Sequence, residues 1–137
     1  MARAEYRLPD DFLDAIAKLE SRTDEIIPRV LEVGGQVVLD QVRSNLSAAL
    51  SGNSTGELEG ALGLAPARID RNGNWNAKVG FDEPRRDGES NAKLANILEH
   101  GKHNQPPRPF LKPAKRTARG SAIEAMKRAL EKEIDGL

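Results

Sequence analysis

The chain has 137 residues, of which 38% are hydrophobic and 31% charged, a composition that predicts one water-soluble globular domain over residues 1–137. It contains no cysteine, which excludes a disulfide framework, a thiolate metal site and a cysteine nucleophile. No apolar run approaches the roughly 20 residues of a membrane span. The N-terminus has no apolar signal core, so we expect neither membrane insertion nor secretion.

Charge is unevenly placed along the chain, although the formal net charge is zero. Residues 1–68 carry seven Lys or Arg and eleven Asp or Glu, a net of −4, whereas residues 69–137 carry fourteen and ten, a net of +4. Six basic residues and no acid lie within 100–119: Lys102, Arg108, Lys112, Lys115, Arg116 and Arg119. This polarity suits head-to-tail association of copies or contact with a phosphate backbone, but charge alone favours a solvated face.

The N-terminal third has the periodicity of two helices, predicted near 9–20 and 25–49. Apolar residues recur at three- and four-residue steps: Leu8, Phe12, Ile16 and Leu19, then Ile27, Val30, Leu31, Val38, Val42 and Leu46. Pro28 predicts a break or kink near 21–28, because proline lacks an amide hydrogen. Gly34 and Gly35 each disfavour a helix by about 1 kcal/mol, so we expect another backbone to lie close to them.

A loop, a stub of helix and a hairpin are predicted next. Ser54 and Glu57 have capping-box spacing, and Gly63 is expected to end the stub. Trp75, Ala77, Val79 and Phe81 alternate with polar residues or glycine, as in a half-buried strand. A loop of Asn72, Gly73 and Asn74, with Asn74 left-handed, gathers the apolar residues on one face. Its register places Arg71 opposite Trp75, Ile69 opposite Ala77, Ala67 opposite Val79 and Ala65 opposite Phe81.

The C-terminal part predicts a polar loop at 83–90, two helices and a proline-rich connection. Ser90 or Asn91 caps a short helix that Gly101 ends. An extended segment with prolines 106, 107, 109 and 113 follows, and a last helix runs from Pro113 to about Ile134. Its predicted apolar stripe comprises Ala122, Ile123, Met126, Leu130 and Ile134. The fold class is therefore α+β: a long kinked N-terminal helix pair, an antiparallel hairpin or small sheet, a short helix, the proline segment and a C-terminal amphipathic helix.

Catalytic and metal signals are weak. The chain has no P-loop, dinucleotide-binding glycine pattern, nucleophile elbow or HExxH motif. Glu99, His100 and His103 have spacing that metal ligands use on a helix, and His100, His103 and Asn104 resemble part of a nuclease site. Gly101 should end the helix between the histidines, and a further strong ligand is missing. We therefore predict no catalytic residue, no cofactor and no metal.

The proline segment is interpreted as a docking element. Four prolines keep Phe110 and Leu111 extended between basic flanks, with little entropy left to lose on binding. The candidate partner-binding residues are Arg108, Phe110, Leu111, Lys112, Lys115 and Arg116. Phe110 could equally cover the protein's own core while the flanks face a partner, since a lone aromatic residue is usually buried.

Three stretches, "STGELEGAL", "AKLANILEHG" and "PPRPFLKPA" followed by an amphipathic helix, resemble tail-completion or head–tail joining proteins of tailed bacteriophages and prophages, often labelled minor tail or virion morphogenesis proteins. The matching motifs occur in the family's order and spacing: Thr55-Gly56-Glu57-Leu58, Glu99-His100-Gly101 and 108–114. The chain departs from the family pattern at His100, where an aromatic residue is usual, and at Lys102, where threonine is frequent.

The resemblance implies a structural virion protein and not an enzyme. Such proteins form a ring in the neck, between the head connector or head-closure protein and the tail terminator or tail tube, and DNA only passes through their channel. It implies assembly in the cytoplasm of the bacterial host, association into a ring on contact with partners, and a monomer when free. The alternative from the residues themselves is a small nucleic-acid-binding protein that uses the basic 102–119 stretch.

Overall fold

The computed structural model describes residues 9–50, 56–83 and 88–137. The chain order is α1 (Asp10–Ser21), α2 (Thr23–Ala49), α3 (Glu57–Ala61), β1 (Leu62–Leu64), β2 (Arg68–Ile69), β3 (Trp75–Asn76), β4 (Val79–Phe81), α4 (Asn91–His100) and α5 (Leu111–Asp135). This order confirms the predicted α+β class. The expected capping residue Ser54 and the middle of the polar loop at 83–90 lie outside the described residues.

The two N-terminal helices are separated at Arg22, within the predicted interval. The Thr23 hydroxyl donates to the carbonyl of Leu19 at 2.9 Å and links the two helix ends. Pro28 lies inside α2, which begins two residues earlier than expected. Its missing amide would have bonded the carbonyl of Asp24 in the first turn. Asp24 is exposed, so water can hydrate that carbonyl and the helix continues through the proline.

The long helices α2 and α5 pack side by side in opposite directions. Arg29 near the start of α2 meets Glu133 near the end of α5, with Nε–Oε1 and Nη2–Oε2 distances of 2.7 and 2.8 Å. At the other end, the side-chain amide of Asn45 donates to the carbonyl of Phe110 at 3.2 Å. These contacts fix the register of the two helices along their whole length.

Gly34 and Gly35 make room for side chains, not for the backbone that the sequence led us to expect. A Cβ atom added to Gly34 would lie 2.6 Å from Cγ and Sδ of Met126 on α5. One added to Gly35 would lie 2.7 Å from Cδ1 of Leu64 on β1. The two glycines therefore let α5 and β1 pack closely against neighbouring faces of α2.

The hairpin loop has the predicted length but begins one residue earlier. The backbone N–H of Asp70 donates to the carbonyl of Asn74 at 2.9 Å, which leaves residues 71–73 as the loop. The Asp70 carboxylate accepts the N–H groups of Asn72 and Asn74 at 2.8 and 3.0 Å. Gly73 has φ 79°, and no non-glycine residue among those described has positive φ. Our placement of Asn74 at the left-handed position was wrong, because glycine takes that conformation without a Cβ penalty.

The predicted register is wrong along both strands as a consequence. Near the tip, Arg68 pairs with Asn76 and Ile69 with Trp75. Further out, Leu62 pairs with Phe81, Gly63 with Gly80 and Leu64 with Val79. Between these two ladders the first strand contains three residues (65–67) and the second strand contains two (77–78). The first strand therefore carries one extra residue, at or next to Pro66. Proline cannot donate to a ladder and is typically found at such irregularities. Gly63 therefore lies in β1 and does not end α3, contrary to expectation.

The core lies where α2, α4, β1 and the start of α5 meet. Its buried residues are Leu39, Val42, Leu46, Leu58, Leu62, Ala95, Leu98, Phe110 and Ala114. Val79 and Phe81 pack against it from β4. Leu46 and Phe110 are fully buried, so the proline segment ends inside this cluster.

The apolar stripe of α5 differs from the prediction. Ala114, Ala118 and Ala122, spaced by four residues, are its buried positions, which suits close packing of two helices. Ile123 and Ile134 are 40% and 42% exposed, although we had assigned both to the stripe. Ile123 lies 100° around the helix from Ala122, which takes it off the face that α2 covers.

Candidate partner-binding site

Glu99 supplies the side chain that holds the start of α5. Phe110, the residue before that helix, makes no side-chain capping hydrogen bond, so the first N–H groups need another acceptor. The Glu99 carboxylate accepts from the backbone N–H groups of Phe110, Leu111 and Lys112 at 2.7, 2.9 and 3.0 Å. One buried carboxylate at the end of α4 therefore fixes where the proline segment becomes helix.

The electrostatics of this contact favour ionised Glu99. Burial disfavours the charged form, whereas the three backbone hydrogen bonds favour it and the nearby His100 adds to them; together they hold the pKa of Glu99 below its usual range. The positive end of the α5 dipole acts in the same direction. The carboxylate is thus committed to a structural role.

Asn45 and Arg108 fasten the proline segment, residues 106–113, to the end of α2. The backbone N–H of Arg108 donates to the carbonyl of Leu98 at 2.7 Å. Its guanidinium Nη1 donates to the carbonyl of Ala49, in the last turn of α2, at 3.2 Å. With the Asn45–Phe110 hydrogen bond, the segment is attached to α2 and α4 along its length.

Phe110 points inward. Its side chain is fully buried, and its ring meets that of Phe81 edge to face, with centroids 6.3 Å apart and planes at 74°. Leu111 is half-buried. Phe110 offers no surface to a partner in this conformation, which agrees with the alternative that it covers the protein's own core. It anchors the segment, and the exposed candidates are Arg108, Lys112, Lys115 and Arg116.

Four cations form one exposed stripe on the first half of α5. Lys112, Lys115, Arg116 and Arg119 are exposed, and their three- and four-residue spacing places them on one helix face. In the parts of the chain that the structure covers, none of the four makes an ion pair at 4.0 Å or less. We call these residues the basic stripe.

The two histidines lie on opposite sides of a glycine turn. Gly101 ends α4 with φ 77° and ψ 179°, a conformation that only glycine adopts readily. A Cβ atom there would also lie 2.7 Å from the carbonyl oxygen of Gln105. Lys102 and Gln105 exchange backbone hydrogen bonds of 2.9 and 3.0 Å, with His103 in the turn between them. Among the described residues, no three His, Asp or Glu side chains are grouped to hold a metal ion.

A largely apolar groove lies beside the basic stripe. Its volume is about 660 Å³. It is lined by Gly35, Val38 and Val42 of α2, by Ala77 and Val79 of the hairpin, and by Leu111, Lys112 and Lys115 of α5. Glu99 and His100 of α4 complete the lining. Its lysines belong to the basic stripe, so the apolar groove and the charged helix face adjoin.

Sequence reasoning missed the roles of Glu99 and Asn45. Glu99 drew attention as a possible metal ligand and as part of the Glu99-His100-Gly101 motif, and Asn45 only as part of a helix. The sequence does indicate that α5 lacks a local cap. Residues 106–110, which precede it, are three prolines, Arg108 and Phe110, and none of them has a side chain that accepts a hydrogen bond. A helix that starts this way needs an acceptor from elsewhere in the chain.

The comparisons concern the part of the chain from α1 to the end of α4. Residues 10–101 match a family model described as "Bacteriophage HK97-gp10, putative tail-component". No curated protein and no solved structure matches the chain significantly. Within the described residues, no helix combines the length and apolar character needed to cross a membrane. The match covers more than half of the 137 residues and includes Glu99 and Gly101. The chain therefore belongs to the HK97-gp10-like family of bacteriophage tail components.

Proposed function

We propose that this tail component is a structural protein that completes the tail end and joins the phage head to the tail, as part of a ring in the neck. Family membership supports a structural role in the tail. The observation that carries the finer assignment is the rigidly held proline segment, which leads from the exposed Arg108 into the basic stripe of α5. In this proposal residues 1–137 act as one domain.

The geometry of the segment suits docking because its conformation is already fixed. The backbone is held by four prolines, by the Glu99 carboxylate and by the hydrogen bonds of Arg108 and Asn45. The segment therefore loses little conformational entropy when it binds a partner. The basic stripe begins with Lys112, within the last residues of the segment, and continues along a helix that α2 supports. A rigid, positively charged edge can select a negatively charged partner and fix its orientation.

The partners in this proposal are other neck proteins and other copies of the same chain. On one side the ring contacts the head connector or head-closure protein, and on the other the tail terminator or tail tube. Residues 1–68 carry a net charge of −4, so the N-terminal half of one copy complements the basic stripe of the next. The protein is monomeric when free and closes its ring on assembly, in the host cytoplasm.

A second function, nucleic-acid binding, gains support from the shared face of the four stripe cations. A phosphate backbone would contact such a face along its length. Binding of this kind weakens steeply as the salt concentration rises. The logarithm of the binding constant falls by about 0.9 per tenfold increase in salt for each phosphate that the protein contacts. A duplex-binding titration between 50 and 200 mM salt tests it: a steep decline favours DNA binding, and no binding at low salt favours protein docking.

Deletion of the gene from a phage or prophage that carries it tests the proposed function. Electron microscopy of the lysate should show DNA-filled heads and separate tails. Supplying the intact gene from a plasmid should restore joined particles. Normal joined virions without the gene, or heads that never fill with DNA, would overturn the joining role.

A further inference from the structure

We propose that the apolar groove binds an extended, acidic segment of another virion protein, which adds as a strand to the free edge of the hairpin beside Ala77 and Val79. Main-chain hydrogen bonds hold such a segment, and its side chains enter the neighbouring groove. Lys112 and Lys115 face its carboxylates. The inference rests on the proposed function in one respect, which is the virion as the source of the segment.

The second strand of the hairpin, residues 75–81, has a free edge. The backbone N–H of Ala65 donates to the carbonyl of Lys78 at 2.8 Å, so Lys78 is a bonded position of the ladder. Bonded and non-bonded positions alternate along an antiparallel pair, which turns the N–H and C=O groups of Ala77 and Val79 to the opposite edge. Among the described residues, no further strand pairs with that edge. Such an edge is a template for pairing with another chain.

The apolar groove adjoins this free edge. Its lining includes Ala77 and Val79 of the second strand and no residue of the first strand, residues 62–69. A segment that pairs with the edge therefore enters the space between the hairpin and the first turns of α5. Its alternate side chains point toward Val38 and Val42 of α2, as side chains on one face of a strand do. The groove volume of about 660 Å³ lies within the roughly 300–1,000 Å³ of ligand-binding clefts.

The accessible charge of the groove identifies the segment as acidic. Lys112 and Lys115 are exposed in its lining, and neither makes an ion pair within the described parts of the chain. Glu99, the acid in the lining, is 7% exposed, and its carboxylate already accepts three backbone N–H groups. Carboxylates on the segment therefore complement the groove, whereas a basic segment would bring like charges together.

The positions of this chain's own acids indicate a different protein as the source. Outside the helices, the described acids lie in the hairpin loop, just after β4, or directly before α4. Asp70 in the loop accepts two N–H groups of that loop, and Glu83 after β4 accepts N–H groups at the start of α4. The described part of a second copy thus offers no separate acidic strand to the groove.

A peptide array probed with the purified full-length protein tests the groove. Overlapping short peptides cover the other virion proteins of a phage that carries the gene, and peptides of this chain form a further arm. We expect the bound peptides to come from another virion protein and to combine acids with apolar residues. Lys112→Glu with Lys115→Glu should weaken their binding about tenfold or more. Lys127→Glu with Arg128→Glu, the same charge change outside the groove, should leave the binding unchanged.

Substitution by proline tests the strand edge separately from charge. Ala77→Pro removes an N–H that points away from the ladder, and proline is tolerated on the free edge of a strand. Peptide binding should weaken about fivefold, the loss expected for one main-chain hydrogen bond. The N–H of Ile69 points from the opposite edge, because the neighbouring Asp70 is bonded to Asn74. Ile69→Pro should therefore leave binding unchanged, and circular dichroism checks that both variants fold.

Amide hydrogen exchange of the wild-type protein distinguishes strand pairing from charge attraction alone. A bound acidic peptide should slow the exchange of the Ala77 and Val79 amide hydrogens about tenfold or more, because both become hydrogen-bonded. If charge reversal at Lys112 and Lys115 abolishes binding but the peptide slows neither amide, the segment does not pair with the edge and the inference is overturned.

The remaining outcomes separate this inference from the joining function. If no acidic peptide binds, or if binding is unchanged in both the proline and the charge-reversed variants, the inference alone is overturned, since gene deletion still tests joining. If only peptides of this chain bind, a second copy occupies the groove and the inference is likewise overturned. If the deletion phage makes joined virions but acidic virion peptides bind at the groove, the joining role fails and the groove assignment stands.

Discussion

The carboxylate of Glu99 lies 2.7 Å from the backbone nitrogen of Phe110, eleven residues later in the chain. This hydrogen bond connects the end of α4 to the start of α5 across the glycine turn and the prolines. Because Phe110 is fully buried, the bond also positions the largest side chain of the core. The candidate docking segment and the core therefore depend on the same carboxylate.

Replacing Glu99 with Gln should destabilise the protein by about 2 kcal/mol at neutral pH, because hydrogen bonds to a charged acceptor contribute more than those to a neutral one. One carboxylate oxygen accepts from Phe110 and Leu111, and the other accepts from Lys112. The side-chain NH₂ of glutamine would replace one of these two oxygens, and in either orientation this donor would face a backbone N–H that is also a donor. Urea unfolding followed by circular dichroism measures the difference.

The difference between wild type and Glu99→Gln should also depend on pH. Folding lowers the pKa of Glu99, so the folded state favours the ionised form. That contribution is fully present above the unfolded pKa, near 4.5, and is lost as pH falls through the lower, folded pKa. The gap in unfolding free energy should therefore narrow below about pH 4.5. A gap that is constant from pH 7 to pH 3 would show that the carboxylate charge is not what holds α5.

Phe81→Ala should destabilise the protein by about 2–3 kcal/mol, and Phe110→Ala by about 3–5 kcal/mol, the larger value reflecting complete burial. Phe81 is half-buried and contacts Phe110 edge to face. Thermal unfolding of the two variants checks the order. If Phe81→Ala had the same unfolding temperature as the wild type, β4 would not contribute to the core.

Two glycines in long helices should respond in opposite directions to alanine. At Gly120 of α5 an added Cβ meets nothing within 4 Å, so Gly120→Ala should stabilise by about 0.5–1 kcal/mol. At Gly34 the Cβ would collide with Met126, and Gly34→Ala should destabilise by about 1–3 kcal/mol. Met126→Ala in the same chain should relieve part of that loss. Equal stabilisation by both glycine substitutions would contradict the packing of α2 on α5.

Charge reversal of the basic stripe should affect assembly and not folding. Lys115→Glu with Arg116→Glu should change stability by less than about 1 kcal/mol, as is usual for exposed charges, yet reduce joined virions in a complementation assay. Lys127→Glu with Arg128→Glu makes the same charge change on the same helix, outside the stripe, at two exposed residues. Equal complementation by the two variants would show that the stripe is not the contact surface.

Much of the fold follows from local signals in the sequence. Helix periodicity located four of the five helices to within a few residues, and Ser90 and Gly101 end α4 as expected, since Ser90 accepts from the N–H of Lys93 at 3.1 Å. Such signals need only neighbouring residues. The hairpin register failed because it depends on one choice, which residue of Asn72-Gly73-Asn74 takes positive φ, and a one-residue error there displaces every pair.

The candidate site was predictable in composition but not in arrangement. The prolines and cations of 106–119 are evident from the sequence, whereas the Glu99 contacts and the groove require elements that are distant in the chain. Phe110 illustrates the difference. An aromatic residue between prolines fits either a docking contact or a core anchor, and its burial depends on α2, β4 and α4 meeting at one point.

The most direct test of the account uses purified protein and a lysate of the deletion phage. The lysate should contain full heads and finished tails that remain separate. Adding the folded wild-type protein should join them, so that plaque-forming titre rises by orders of magnitude and electron microscopy shows complete virions. The Lys115→Glu, Arg116→Glu variant should raise the titre far less than the Lys127→Glu, Arg128→Glu control. No rise in titre with wild-type protein, although the gene supplied during infection restores virions, would contradict a role in joining finished heads to finished tails.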